Sequence, residues 1–440
     1  MTTATNTSYK KAFYFLTSLF FLWGFITVLV DSLIPRIREL FTLSYFQAGL
    51  VQFAFFGAYF LLSIPAGYIL ARIGYKKGII LGLLTMAIGC LLFYPAASYR
   101  VFGIFMLAYF VLAGGMTILQ VAANPYVAVL GTEEGASSRL NLSQAFNSLG
   151  TAIAPAVGAM LILSDKVKTS EEIAVLSVSA KQEYLAAEAE AVQTPFLGIA
   201  GFIIALAVVF AFVKLPKLLE KIPKGGYGTL LKNKSLLMGA LGIFVYVGAE
   251  VAIGSYLVNY FLDMNLFELI KSNSLMSTIS ETLLRKNLLE VDNKAIVGAF
   301  VTFYWSGAMI GRFIGSYLTN IIAPAKVLTS FAIGALLLVV ISMSTSGFIA
   351  MWSILAVGLF NSIMFPTIFT LAIDGLEELK PQASGLLCTM IVGGAIIPPL
   401  YGLVTDHIGF KFAFVLVLLC YAYIMYYGRS KQKQYQQNKS

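Results

Sequence analysis

The residues of this sequence able to do chemistry are two rows of carboxamides and two isolated carboxylates. Gln120 and Asn124 lie four residues apart in LQVAANPYVAVLG, and Asn141, Gln144 and Asn147 recur every three residues in SSRLNLSQAFNSLG. At helical periodicity each series falls on one face. Asp31 follows Trp23 and Thr27 at i, i+4 and i+8 in FLWGFITVLVDSLIP, and Glu250 sits in IFVYVGAEVAIGSYLVNYF. Both acids lie within apolar runs, where an embedded carboxylate costs on the order of 3 kcal/mol to insert. Each could lock two helices through an amide partner, but the cost favours work on a substrate or a coupling ion. Asp31 and Glu250 are therefore the candidate ion-coupling residues. Trp23, Thr27, Gln120, Asn124, Gln144, Asn147, Glu250, Asn361 and Phe365 are the candidate substrate-binding residues. Carboxamides and carboxylates engage hydroxyl groups, and a flat ring suits the C–H face of a pyranose, so the set fits a neutral sugar. An anionic substrate would be expected to leave a cation inside the spans, and only Arg312, near one end of the eighth, comes close. Pro125 adds a further feature: it supplies no amide hydrogen to the carbonyl of Val121, leaving that oxygen for a ligand, a water or a neighbouring helix.

The surroundings of these groups are set by composition. Of 440 residues, 59% are hydrophobic and 12% charged, with a mean hydropathy of +0.84, against about 25% charged in soluble domains. The chain reads as a polytopic membrane protein with the lipid bilayer as its solvent. Its net charge of +9 gathers in short loops, which is a topology signal rather than a nucleic-acid footprint. Cys90, Cys388 and Cys420 lie in apolar runs with no CxxC and read as packing residues. His407, the single histidine, sits in a short turn beside Asp406 and offers no relay partner. No His–Glu metal site, serine triad or glycine-rich phosphate loop is present, so the chain reads as no enzyme and as needing no cofactor.

Apolar runs of about 20 residues, the length that crosses a 30 Å hydrocarbon layer, begin near residues 12, 47, 78, 101, 138, 194, 236, 294, 326, 348, 382 and 409. They predict twelve helices. Arg72, Lys76 and Lys77 fill the second loop, six lysines lie between Lys214 and Lys234, and Arg429, Lys431, Lys433 and Lys439 mark the tail. Cations face the cytoplasm, which places both termini there. The 164–193 and 263–294 segments, with more acids than bases, become external loops, partly helical and amphipathic. Asp374 reads as a solvated helix end. The expected division is an N-terminal six-helix bundle over 1–213, a basic cytoplasmic linker over 214–235, and a C-terminal bundle with its tail over 236–440.

The halves repeat each other. GTAIAPAVG at 150–158 matches GAIIPPLYG at 394–402, and NPYVAVLG at 124–131 pairs with FPTIFTLAIDG at 365–375. A duplicated six-helix unit around a midplane site is the organisation of major facilitator transporters. GYILARIGYKKG resembles that superfamily's signature between helices two and three, with Ala71 where an aspartate is usual. FLWGFITVLVDSLIP, LQVAANPYVAVLG, SSRLNLSQAFNSLGTAIAP and FVYVGAEVAIGSYLVNYF together resemble the fucose–galactose–glucose:proton symporter family, nearest to its bacterial glucose/galactose transporters. The resemblance covers residues 12 to 428. It implies an all-α membrane protein of twelve transmembrane helices in two pseudo-symmetric six-helix bundles, importing a hexose by alternating access in a bacterial inner membrane. It implies proton coupling at Asp31, an aromatic contact at Trp23 and substrate contacts at Gln144 and Asn147. The family's second acid falls on Gln120, a departure that argues against L-fucose. The expected partners are a hexose and H⁺ or Na⁺ as coupling cation, with no nucleic acid and a functional monomer. The alternatives are an L-fucose or N-acetylglucosamine permease and a drug-efflux antiporter.

Overall fold

A backbone in hydrocarbon finds no water for its amides, so each span must satisfy itself as a helix. The computed structural model describes residues 3–40, 45–162, 175–218 and 226–437, and every regular element among them is helical. In the first half run α1 (Thr3–Leu40), α2 (Tyr45–Ile73), α3 (Tyr75–Tyr99), α4 (Phe102–Val129), α5 (Ala136–Ile162) and α6 (Val178–Phe212). A four-residue turn of helix, α7 (Tyr227–Leu230), precedes α8 (Lys234–Asp263). Two short helices, α9 (Leu266–Ser272) and α10 (Ser274–Leu284), occupy the 263–294 segment, which is partly helical as expected. The chain continues through α11 (Asn293–Ile321), α12 (Pro324–Ser344), α13 (Gly347–Asn361) and α14 (Met364–Ile373), then α15 (Lys380–Thr389), α16 (Gly393–Ile408) and α17 (Phe410–Gln437).

Eleven stretches among the described residues are long and apolar enough to cross a bilayer. α5, which carries Asn141, Ser143, Gln144, Asn147 and Ser148, supplies the twelfth span. Two spans of the second half are discontinuous. The tenth is interrupted between α13 and α14, and the eleventh passes through a 3₁₀ turn at Met390–Val392 between α15 and α16.

Two compact units form. One holds residues 1–133, 146–232 and 375–389; the other holds 134–145, 233–374 and 390–440. The first part of α5 is thus built into the second unit, and α15 into the first.

Two expectations change and one is extended. The 164–193 segment is partly helical as expected, but its helix is continuous with the span: residues 163–174 lie outside the described set, and from Val178 the chain is already α6, capped by Ser177, whose hydroxyl accepts from the Ala180 amide. At 35 residues and about 1.5 Å per residue, α6 is about 52 Å long, well beyond a hydrocarbon layer. Arg72, Lys76 and Lys77 do not fill a loop either, because α2 and α3 are joined by Gly74 alone, at φ 83°. A left-handed residue here spares the chain a longer turn, and the cations sit on the flanking helix ends, with Lys76 Nζ donating to the Ala211 carbonyl at 2.7 Å. Asp374 is half-buried rather than solvated, bonded by the Tyr435 hydroxyl and near the buried Lys431.

Candidate functional site

In the first unit, α1 and α4 bring their polar stripes together. The Thr27 hydroxyl donates to the Trp23 carbonyl at 2.9 Å and contacts Met116 Sδ at 3.8 Å. Met116 is one turn ahead of Gln120 and two ahead of Asn124 on α4, so the Trp23–Thr27 face of α1 is turned toward the carboxamide row. Trp23, Gln120 and Asn124 are all buried, and the Trp23 ring packs edge-on against Phe20 at 5.6 Å. Asn147 joins the same unit from α5: its Nδ2 donates to the Phe20 carbonyl at 2.9 Å. The helices cross so closely that a Cβ on Gly24 would meet the Asn147 carbonyl oxygen at 2.3 Å. Asn147 therefore spends its amide hydrogen on fastening α5 to α1 and retains its oxygen for other partners. Asp31 lies on α1, with its side chain outside the described residues.

The carbonyl left over by Pro125 has a partner. Ser384 of α15 donates its hydroxyl to Val121 O at 2.8 Å, so the neighbouring-helix alternative holds. Lys380, at the start of α15, pairs with Glu133 at 3.2 Å.

In the second unit, the first part of α5 is fastened through its own polar face. Asn141 Nδ2 donates to the Ser137 carbonyl at 2.9 Å and to Thr367 Oγ1 at 3.2 Å, while the Ser138 and Ser316 side chains meet at 3.3 Å. Gln144, one turn on, is buried. Glu250 of α8 stands in a cluster that sequence reasoning had not assembled: Tyr246 on its own helix, Tyr304 and Arg312 of α11, Asn361 at the end of α13, and Tyr421 of α17. Asn361 Nδ2 donates to the Tyr304 hydroxyl at 2.7 Å. Among the described residues, Glu250 Oε1, the Tyr246 hydroxyl, Asn361 Oδ1 and the Tyr421 hydroxyl are buried with no partner at hydrogen-bonding geometry. Arg312 is thus no mere helix-end cation, because its Nε donates to the Ser362 carbonyl at 3.3 Å. Phe365 lies on α14, stacked on Phe369 at 5.9 Å. The tyrosines carried no sequence signal among 23 in the chain, whereas Arg312 already stood out in the sequence as the cation nearest the inside of a span.

Among the described residues no group of three His, Cys, Asp or Glu could hold a metal. What the two clusters offer is hydroxyl recognition by amides and tyrosines beside one acid.

The profile of the Major Facilitator Superfamily matches residues 14–390. The chain belongs to that superfamily. It is 48% identical to a glucose/galactose transporter of Brucella abortus biovar 1 over 97% of this chain and 95% of that one. It is 33% identical to the L-fucose-proton symporter of Escherichia coli K12 over 97% and 94%. A crystal structure of the E. coli fucose:proton symporter superposes with a TM-score of 0.84 at 32% identity, covering 96% of this chain and 99% of that one. A second, in the outward conformation, gives 0.85 at 33%, with the same coverage. The major facilitator fold and the likeness to the glucose/galactose branch of the symporters are as the sequence led one to expect.

Proposed function

We propose that the chain imports a neutral hexose, glucose or galactose, by cation-coupled symport with alternating access. The observation carrying this reading is the 48% identity with a glucose/galactose transporter over 97% of this chain, joined to buried carboxamides in both units and an acid facing tyrosines and Asn361. Asp31 and Glu250 serve the coupling ion. Trp23, Thr27, Gln120, Asn124, Gln144, Asn147, Glu250, Asn361 and Phe365 contact the sugar. The protein works as a monomer in a bacterial inner membrane, as a 1–213 bundle and a 236–440 bundle joined by a cytoplasmic linker, with both termini cytoplasmic. Drug efflux is disfavoured, since amphipaths ask for apolar walls rather than rows of carboxamides.

Proteoliposomes challenged with a panel of hexoses at fixed pH, with and without Na⁺, test this on solid-supported membranes. Glucose and galactose should evoke currents that collapse with the driving ion gradient. Currents from L-fucose or N-acetylglucosamine alone would replace the substrate, and currents with organic cations alone would replace the class.

A further inference from the structure

Within the first unit, α15 crosses α2 so closely that the contact leaves no room for a side chain. A Cβ on Gly67 would meet the Pro381 carbonyl oxygen at 2.9 Å, and one on Gly385 would meet the Ser63 carbonyl oxygen at 2.5 Å. Glycine on both helices lets the backbones touch. A third element enters the same notch: a Cβ on either glycine would also meet the Tyr227 hydroxyl of α7, at 2.7 Å from Gly67 and 3.0 Å from Gly385. That hydroxyl donates to the Ile64 carbonyl of α2 at 2.5 Å. The other described end of the linker is fastened to the same unit, where the Tyr126 hydroxyl of α4 donates to the Pro216 carbonyl at 2.7 Å.

We propose that Tyr227 is a positioning residue: held by the linker, its hydroxyl keeps α2 and α15 shut against each other, and its loss lets the crossing part. This rests on the alternating-access reading, which needs an interface that opens, and gives the linker a part in setting how often it does. The shut crossing carries a cost of its own. Among the described residues, Ser63 Oγ of α2 and Gln382 Oε1 of α15 are buried with no partner at hydrogen-bonding geometry, a penalty that water removes once α15 leaves its neighbours. Against it stand the Lys380–Glu133 pair, the Ser384 bond to Val121 O and the tyrosine in the notch. The first two tie α15 to α4 and the turn after it. Of the three, Tyr227 alone reaches α2, so the α2 side of the crossing answers to the linker.

The test is hydrogen exchange of the full-length protein in lipid nanodiscs, read by mass spectrometry on peptides covering 61–70 of α2 and 380–389 of α15, with 83–90 of α3 as the internal reference. Tyr227→Phe should raise exchange on both sides of the crossing roughly two- to tenfold, the worth of one hydrogen bond, and leave 83–90 unchanged. Gly67→Ala, whose Cβ drives the Pro381 backbone away, should raise both as well. Adding Tyr227→Phe to it should change nothing further, because the notch is already open. A rise confined to 61–70 would make Tyr227 a fastener of α2 alone, and a rise that includes 83–90 would mark a general loss of stability. Either outcome, or silence of Tyr227→Phe, overturns the proposal. No sugar or coupling ion enters this readout, so a protein that shows the expected pattern yet transports no hexose would overturn the transport reading alone.

Discussion

At the residue scale, the two asparagines of α5 each spend Nδ2 on a neighbouring helix. Asn141 is bonded to Ser137 and Thr367, and Asn147 holds the Phe20 carbonyl while Gly24 lets the helices close. Asn147→Ala should therefore do two things at once. It removes the hydrogen bond to the Phe20 carbonyl, which keeps its helical donor, costing about 0.5–1.5 kcal/mol, and it removes an oxygen available to a sugar, so affinity should fall roughly tenfold or more. Melting temperature and sugar affinity measured on one preparation separate these, and unchanged affinity in a destabilised variant would make Asn147 a helix fastener only. Asp31→Asn should abolish uphill accumulation yet retain sugar counterflow, because an amide mimics the protonated acid and cannot release a charge. Vesicles of that variant still concentrating sugar along an imposed H⁺ or Na⁺ gradient would leave Glu250 to carry the ion. Much of this residue set was legible in the sequence, since amides and acids inside apolar runs announce themselves by insertion cost. The cluster of Tyr246, Tyr304, Arg312 and Tyr421 around Glu250 was not, because tyrosines are ordinary in membrane helices and their convergence comes from three separate elements.

At the scale of elements, the spans were legible from apolar run length, and the Val121 carbonyl from the position of Pro125. The breaks were missed. No glycine or proline sits at Ser362 or Ile363, and the nearest cause lies one turn further on, at Pro366, whose counterpart Pro125 leaves its own helix intact. A proline therefore weakens a helix without deciding whether it breaks; the donor found for the orphan carbonyl contributes to that outcome. Ser384→Ala makes the point testable, since it leaves Val121 O without its hydroxyl. The substitution should destabilise the protein by about 1–3 kcal/mol, a loss visible in thermal unfolding, and Ser384→Thr should restore it. Equal stability of all three proteins would show that this contact is dispensable. The extra length of α6 was missed for a different reason: the acids and lysines of 164–193 set its partial helicity apart as an external segment rather than as a continuation of the span.

For the whole molecule, sidedness follows from where cations lie on helix ends and in the linker. Lys232→Cys places a thiol on an exposed residue between α7 and α8, while Cys90, Cys388 and Cys420 are buried and silent. In intact cells that thiol should resist an impermeant maleimide and react once the membrane is opened; labelling from outside would invert the topology. The single-residue turn at Gly74 bears on how this arrangement is reached during synthesis. With one residue between them, α2 and α3 give the chain no slack in which to station the first span in the bilayer and wait for the second. The pair must enter as a hairpin, its tip carrying Arg72, Lys76 and Lys77 as one cluster on the side where it was made. A hairpin adds two crossings or none, so an error at this step would leave every later span facing the side it faces now.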